Sequence, residues 1–189
     1  MRTAFPSFPS PRFFSGMCLA GAFIFSLSLP AAAQQPVLNS ADIQREAMHK
    51  LAFLAGRWSG PVTITRGPAE SLHLTQSEDV QYKLGGLVLL IEGKSTSADG
   101  KAEFSALATI SFDDATRTYR IRAYNNGHYA DAELSTLADG FSWGFPAGPG
   151  RVVSTMHLTT KGEWQEVTDF TMGGTPPRRS VDMLLQHLP

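Results

Sequence analysis

The chain has 189 residues, 42% of them hydrophobic, a formal net charge of −1 and one cysteine, Cys18. Without a basic excess it offers no basic face for nucleic acid and no polybasic patch for anionic lipid. One cysteine excludes an intramolecular disulfide, so stability must come from an apolar core, which a chain of this length can bury as a single domain.

The first 33 residues read as a secretory signal. Residues 1–16 carry Arg2 and Arg12 and no acid, residues 17–29 are apolar or small, and Pro30 ends that run before Ala31-Ala32-Ala33, small residues suited to a cleavage site. The apolar run has 13 residues, short of the roughly 20 a helix needs to cross a bilayer. Cys18 precedes the run instead of following it, so lipidation is not expected. Cleavage after Ala33 removes both arginines and the cysteine and leaves 156 residues with a net charge of −3. The expected mature protein, residues 34–189, is periplasmic or secreted. It has no integral membrane span, no cysteine nucleophile and no thiolate metal site.

Residues 34–38 form a short polar tether. Asn39 or Ser40 can cap a helix, with Asp42 in its first turn where acid favours the helix dipole. Ile43, Ala47, Leu51 and Leu54 recur at helical spacing over 40–54, and Gly56 is the expected stop. From Arg57 onward the period changes to two. Phe104, Ala106, Ala108, Ile110 and Phe112 alternate with polar residues. Tyr119, Ile121 and Ala123 alternate with Arg120, Arg122 and Tyr124, and Trp164, Thr168 and Phe170 alternate with Gln165 and Asp169.

Turn signals fall at Gly67-Pro68, Gly85-Gly86, Asp99-Gly100, Asp113-Asp114, Asn126-Gly127, Asp139-Gly140, Pro146 to Gly150, Lys161-Gly162 and Gly173 to Pro177, dividing 57–188 into about ten strands. The expected fold is all-β: one up-and-down antiparallel barrel with a short N-terminal helix, closed so that no strand edge is exposed. A β-sandwich is the alternative. An outer-membrane barrel is disfavoured because the strands show no consistent lipid-facing apolar face.

The stretch Leu51-Ala-Phe-Leu-Ala-Gly56-Arg-Trp58-Ser-Gly60, a short helix ending in L-x-G-x-W-x-G, resembles lipocalin-like calycin proteins. It is most similar to an uncharacterised bacterial domain family of that type, which also has counterparts of Leu84-Gly85-Gly86 and of Phe112-Asp113. Physically, Gly56 permits a sharp turn into the strand and Trp58 can plug one end of a barrel. The resemblance further implies an arginine stacked on that tryptophan, a part open to Arg178 or Arg179 on the last strand.

Candidate chemistry is sparse. Gly140-Phe-Ser142-Trp-Gly144 matches a G-x-S-x-G pattern, but the following Phe145-Pro-Ala-Gly-Pro-Gly cannot begin the helix that a nucleophile elbow requires. His49, His73, His128, His157 and His187 have no metal-ligand spacing. More distantly the chain resembles the nitrobindin barrels, which hold haem through a histidine near the C-terminus. His187 matches that placement in position only, while Pro61-Val-Thr-Ile departs from that family's pattern.

Arg120, Arg122 and Tyr124 share one strand face, at the spacing by which fatty-acid-binding barrels grip a carboxylate. The opposite face is more apolar and is the natural inward one. Glu78-Asp79 and Asp113-Asp114 are adjacent, so each pair points to opposite faces. No phosphate loop or dinucleotide fingerprint is present, and no cofactor is expected. The expected role is an exported module holding a small hydrophobic or amphipathic molecule in its lumen. An enzyme using Glu78, Arg120, Arg122 or a histidine, and a structural role in the envelope, are the other readings.

Overall fold

The structure, a computed structural model, describes residues 39–67 and 70–189. The expected leader over 1–33 and the tether after it lie outside the described residues. Ten strands run in order: β1 (Gly56–Thr65), β2 (Ser71–Lys83), β3 (Val88–Thr96), β4 (Ala102–Asp113), β5 (Thr118–Asn125), β6 (His128–Thr136), β7 (Gly140–Ala147), β8 (Gly150–Leu158), β9 (Trp164–Met172) and β10 (Arg178–Leu188). Each pairs antiparallel with its neighbours in sequence, and β10 closes on β1 with Trp58 opposite His187 and Val62 opposite Met183. The result is the closed up-and-down barrel expected from the alternation, not a sandwich. All nine connections coincide with the turn signals. In the two-residue turn between β5 and β6, Asn126 and Gly127 both take positive φ, 47° and 78°, as a type I′ hairpin requires.

The N-terminal segment is shorter as an α-helix than its stripe suggests. The helix α1 spans Ser40–His49, capped by the Asn39 side chain on the Asp42 amide, and a separate 3₁₀ turn covers Ala52–Leu54. Met48, Leu51 and Leu54 are all fully buried, and at three-residue intervals they suit a tighter i to i+3 winding as well as an α-helical stripe. Trp58 then lies under the turn, its indole N–H donating to the Leu54 carbonyl at 2.8 Å.

This helical segment plugs one end of the barrel. Tyr82 and Tyr119, from the far ends of β2 and the start of β5, each donate to a helix carbonyl, Met48 and Ala47 respectively, at 2.7 Å. Below it Trp58, Leu89, Ile110, Leu134, Met156 and Leu185 fill the interior as one apolar cluster. Outward positions are polar: along β2 they read Ser71, His73, Thr75, Ser77, Asp79, Gln81 and Lys83. No described helix is long and apolar enough to cross a membrane.

Candidate functional site

The half of the barrel away from the plug is hollow. A cavity of about 440 Å³ extends from the packed core to the turn at 126–127, where Asn125 and His128 line it. Its walls follow from the inward phase of the strands. Phe104, Ala106 and Ala108 come from β4, Ile121 and Ala123 from β5, and Phe141, Trp143 and Phe145 from β7. The hollow is wide because small residues adjoin one another across strands. Ala108 stands opposite Ala123, Ala123 opposite Ala130, and Gly93 opposite Ala106.

Where the hollow meets the packed half, two carboxyl groups line it, Glu78 from β2 and Glu166 from β9. Both sit among neutral polar partners. Ser95 donates to the Gln76 amide oxygen, and Gln76 Nε2 donates to Glu78 Oε1 at 2.7 Å. Ser154 Oγ donates to Glu166 Oε1 at 2.5 Å and the Trp164 indole N–H to Glu166 Oε2 at 2.9 Å. Glu78 Oε2 is buried with no hydrogen-bond partner in the protein. Glycine at 93 makes room for it: a Cβ there would lie 2.7 and 2.8 Å from the two Glu78 oxygens.

The electrostatics follow. Burial pushes the Glu78 carboxyl up to about 7; the hydrogen bond from Gln76 opposes this and the negative charge of Glu166 adds to it. Burial also raises Glu166, against the hydrogen bonds from Ser154 and Trp164. Two such bonds favour charge on Glu166 and one favours it on Glu78. Both carboxyls are nonetheless held toward their protonated form, Glu78 with its midpoint at about 7.

The structure places the residues singled out in the sequence as follows. Arg120 and Arg122 lie on the outer face, where both bond Asp131, Arg120 Nη2 at 2.6 Å to one oxygen and Arg122 Nη2 at 2.5 Å to the other. Those hydrogen bonds hold the Asp131 carboxyl below the usual carboxylate range. Neither guanidinium borders the hollow, because Ile121 and Ala123 take the inward phase of β5. Tyr124 is partly exposed and stands with Tyr129 at the mouth, ring centroids 6.2 Å apart.

Gly56, with φ +125°, makes the sharp entry to β1 that only glycine adopts readily, and Trp58 is buried beside it. The stacked arginine is not found there. Arg178 and Arg179 begin β10 at the end remote from Trp58, and Arg179 Nε bonds Asp169 at 2.7 Å on the outside. The register brings His187 to Trp58 instead, edge-on at 4.7 Å. The Nε2 of His187 is turned against Gly56, where a side chain would collide with it. A haem needs an apolar pocket around its axial ligand; His187 sits at the plugged end and does not border the hollow, so the residues present do not fit that group.

Ser142 of the G-x-S-x-G stretch lies mid-strand and donates to the Ser154 carbonyl at 3.0 Å. Its neighbours Phe141 and Trp143 both face the lumen. Glu166 was not among the candidate residues. Its signal was its phase: it occupies the inward register of β9 between Trp164 and Thr168, where a charged residue has no ordinary reason to be.

No protein-family model matches the chain, nor does any curated protein sequence. Among solved structures it is similar to Rv2717c from M. tuberculosis, with a TM-score of 0.58 and 13% identity over 76% of this chain and 98% of that one. The similarity is one of fold, a ten-stranded antiparallel barrel.

Proposed function

We propose that this protein is an exported carrier that holds a small apolar or amphipathic molecule inside its barrel. The observation that supports it is the hollow itself. Its volume of about 440 Å³ lies in the range typical of small-molecule sites, and its lining matches their pattern of apolar and aromatic walls with a few convergent polar groups. A barrel that served only as a scaffold gains stability by filling its lumen, as the plugged half of this one does.

The test is direct. Protein purified without detergent, denatured and extracted, should release a recurrent small molecule by mass spectrometry, and an apolar dye should bind the emptied barrel and be displaced by that extract. Arg120→Ala and Arg122→Ala should leave dye binding unchanged, since both side chains lie outside. Repeated recovery of empty protein that takes up no dye overturns the reading. The export part rests on the order of charge, apolar run and small residues in the leader. It predicts a mature chain beginning at Gln34, which N-terminal sequencing of the protein from its native cells decides.

The carboxyl pair supports a second reading, acid–base chemistry in the lumen, because raised carboxyl groups in an apolar cavity suit proton transfer near neutral pH. Apolar ketones incubated with the protein in heavy water should then exchange their α-hydrogens, followed by NMR. Exchange that is absent, or that persists unchanged in Glu166→Gln, sinks that reading.

A further inference from the structure

We propose that the lumen selects an amphipathic cation, with an ammonium-type head held by Glu78 and Glu166 and an apolar body lying between them and the mouth. The proposal rests on the carrier reading above and names the class of ligand.

It begins with which charges line the hollow. Two carboxyl groups border it, and no lysine or arginine does, among the described residues. The side chains that contact the carboxyls are Gln76, Ser154 and Trp164, all neutral donors that leave the charge uncompensated. A buried charge without a counter-charge is costly. Whenever either carboxyl ionises, its charge meets only neutral partners, and the group that relieves it must come from outside the protein. An acidic lipid head would add a further negative charge, a neutral head would leave the pair as it is, and a protonated amine neutralises it.

The hydrogen bonding points the same way. The oxygens of Glu166 and one oxygen of Glu78 are fixed by donors from the barrel wall, while Glu78 Oε2 is left buried and unpaired. Gly93 keeps that oxygen's position clear. An ammonium carries three donors and no acceptor, which complements carboxylate oxygens with lone pairs to spare. Phe141, Trp143 and Trp164 border the same region, and aromatic faces attract cations. Toward the mouth the lining turns to Ala106, Ala123, Phe104 and Val152, suited to a hydrocarbon body.

The probes are decylammonium, decanol and decanoate, which share one tail and differ in the head, titrated calorimetrically at pH 7.5 below their micelle-forming concentrations. Decylammonium should bind about tenfold or more tighter than decanol, and decanoate weakest. Glu78→Gln and Glu166→Gln should each reduce the preference for ammonium over alcohol about fivefold or more while decanol affinity stays within about twofold. Retained decanol binding also reports that the variants are folded. If decanol binds but decylammonium binds no better, or if the preference survives in the double variant, the cation proposal is overturned and the carrier reading stands. If none of the three binds the wild-type protein, the carrier reading fails and takes this proposal with it.

Discussion

Glu78 has a consequence for stability that its neighbours on the surface lack. Its carboxyl titrates at about 7 in the folded protein against an ordinary value of 4.5. Between those values the folded chain binds more protons than the unfolded one, so stability is full below pH 4.5, falls as pH rises and levels off above about 7. The loss is about 3 kcal/mol from this group alone. Glu166, His128, Tyr124 and Tyr129 border the same cavity, and Glu166, also raised, acts in the same direction. Asp131 and Asp139 are held low by Arg120 and His157 and titrate with the opposite sign at lower pH. Denaturant melts of the wild type at pH 5 and pH 8 should differ by at least about 2 kcal/mol, and Glu78→Gln should remove that share of the difference; a variant as pH-dependent as the wild type would falsify it. At this scale the sequence was half legible. Adjacency correctly sent Glu78 and Asp79 to opposite faces, but which of them looks inward depends on register with Trp58 and Gly93. The partner carboxyl comes from a strand almost ninety residues away.

The secondary-structure elements were the most legible level, because each is written in local chemistry. The strand phases came from alternation and the hairpins from glycine and asparagine at positive φ. The N-terminal helix was read too long because Leu51 and Leu54 fit an α-helical stripe as well as they fit the 3₁₀ turn that holds them. What decides between the two is tertiary: Tyr82 and Tyr119 reach the carbonyls of Met48 and Ala47 where the α-helix ends, and Trp58 takes that of Leu54. These bonds seat the plug, so Tyr82→Phe and Tyr119→Phe should each cost about 1 kcal/mol. In the double variant, amide exchange should quicken over residues 47–55 while β3 and β4 keep their protection, since local opening of the plug does not require the barrel to open. Uniform quickening across the barrel would show instead that plug and barrel melt as one unit.

At the scale of the molecule the barrel is divided, one half packed by Trp58, Leu89, Ile110 and Met156 and the other left open behind alanines. Ten strands enclose more space than side chains must fill, and residue size along each strand settles how it is used. The alternating pattern shows Ala106, Ala108 and Ala123 as inward; it does not show that Ala108, Ala123 and Ala130 form a row, because rows are made by register between strands. If that row exists to keep room for a ligand, enlarging it should trade binding for stability. Ala123→Leu places three more carbons in the hollow, each worth about 0.8 kcal/mol when buried, so a gain of about 1–2 kcal/mol and a rise in Tm of roughly 2–8 °C are expected. Affinity for an apolar probe should fall about tenfold or more as the space is taken. If instead the alanines are there because neighbouring side chains already occupy the volume, the same substitution overpacks the barrel and costs about 1–3 kcal/mol. A thermal melt and a probe titration on one variant separate the cases. Higher Tm with lost binding marks a hollow kept for a guest, whereas lower Tm with unchanged binding marks a lumen whose small residues serve packing alone.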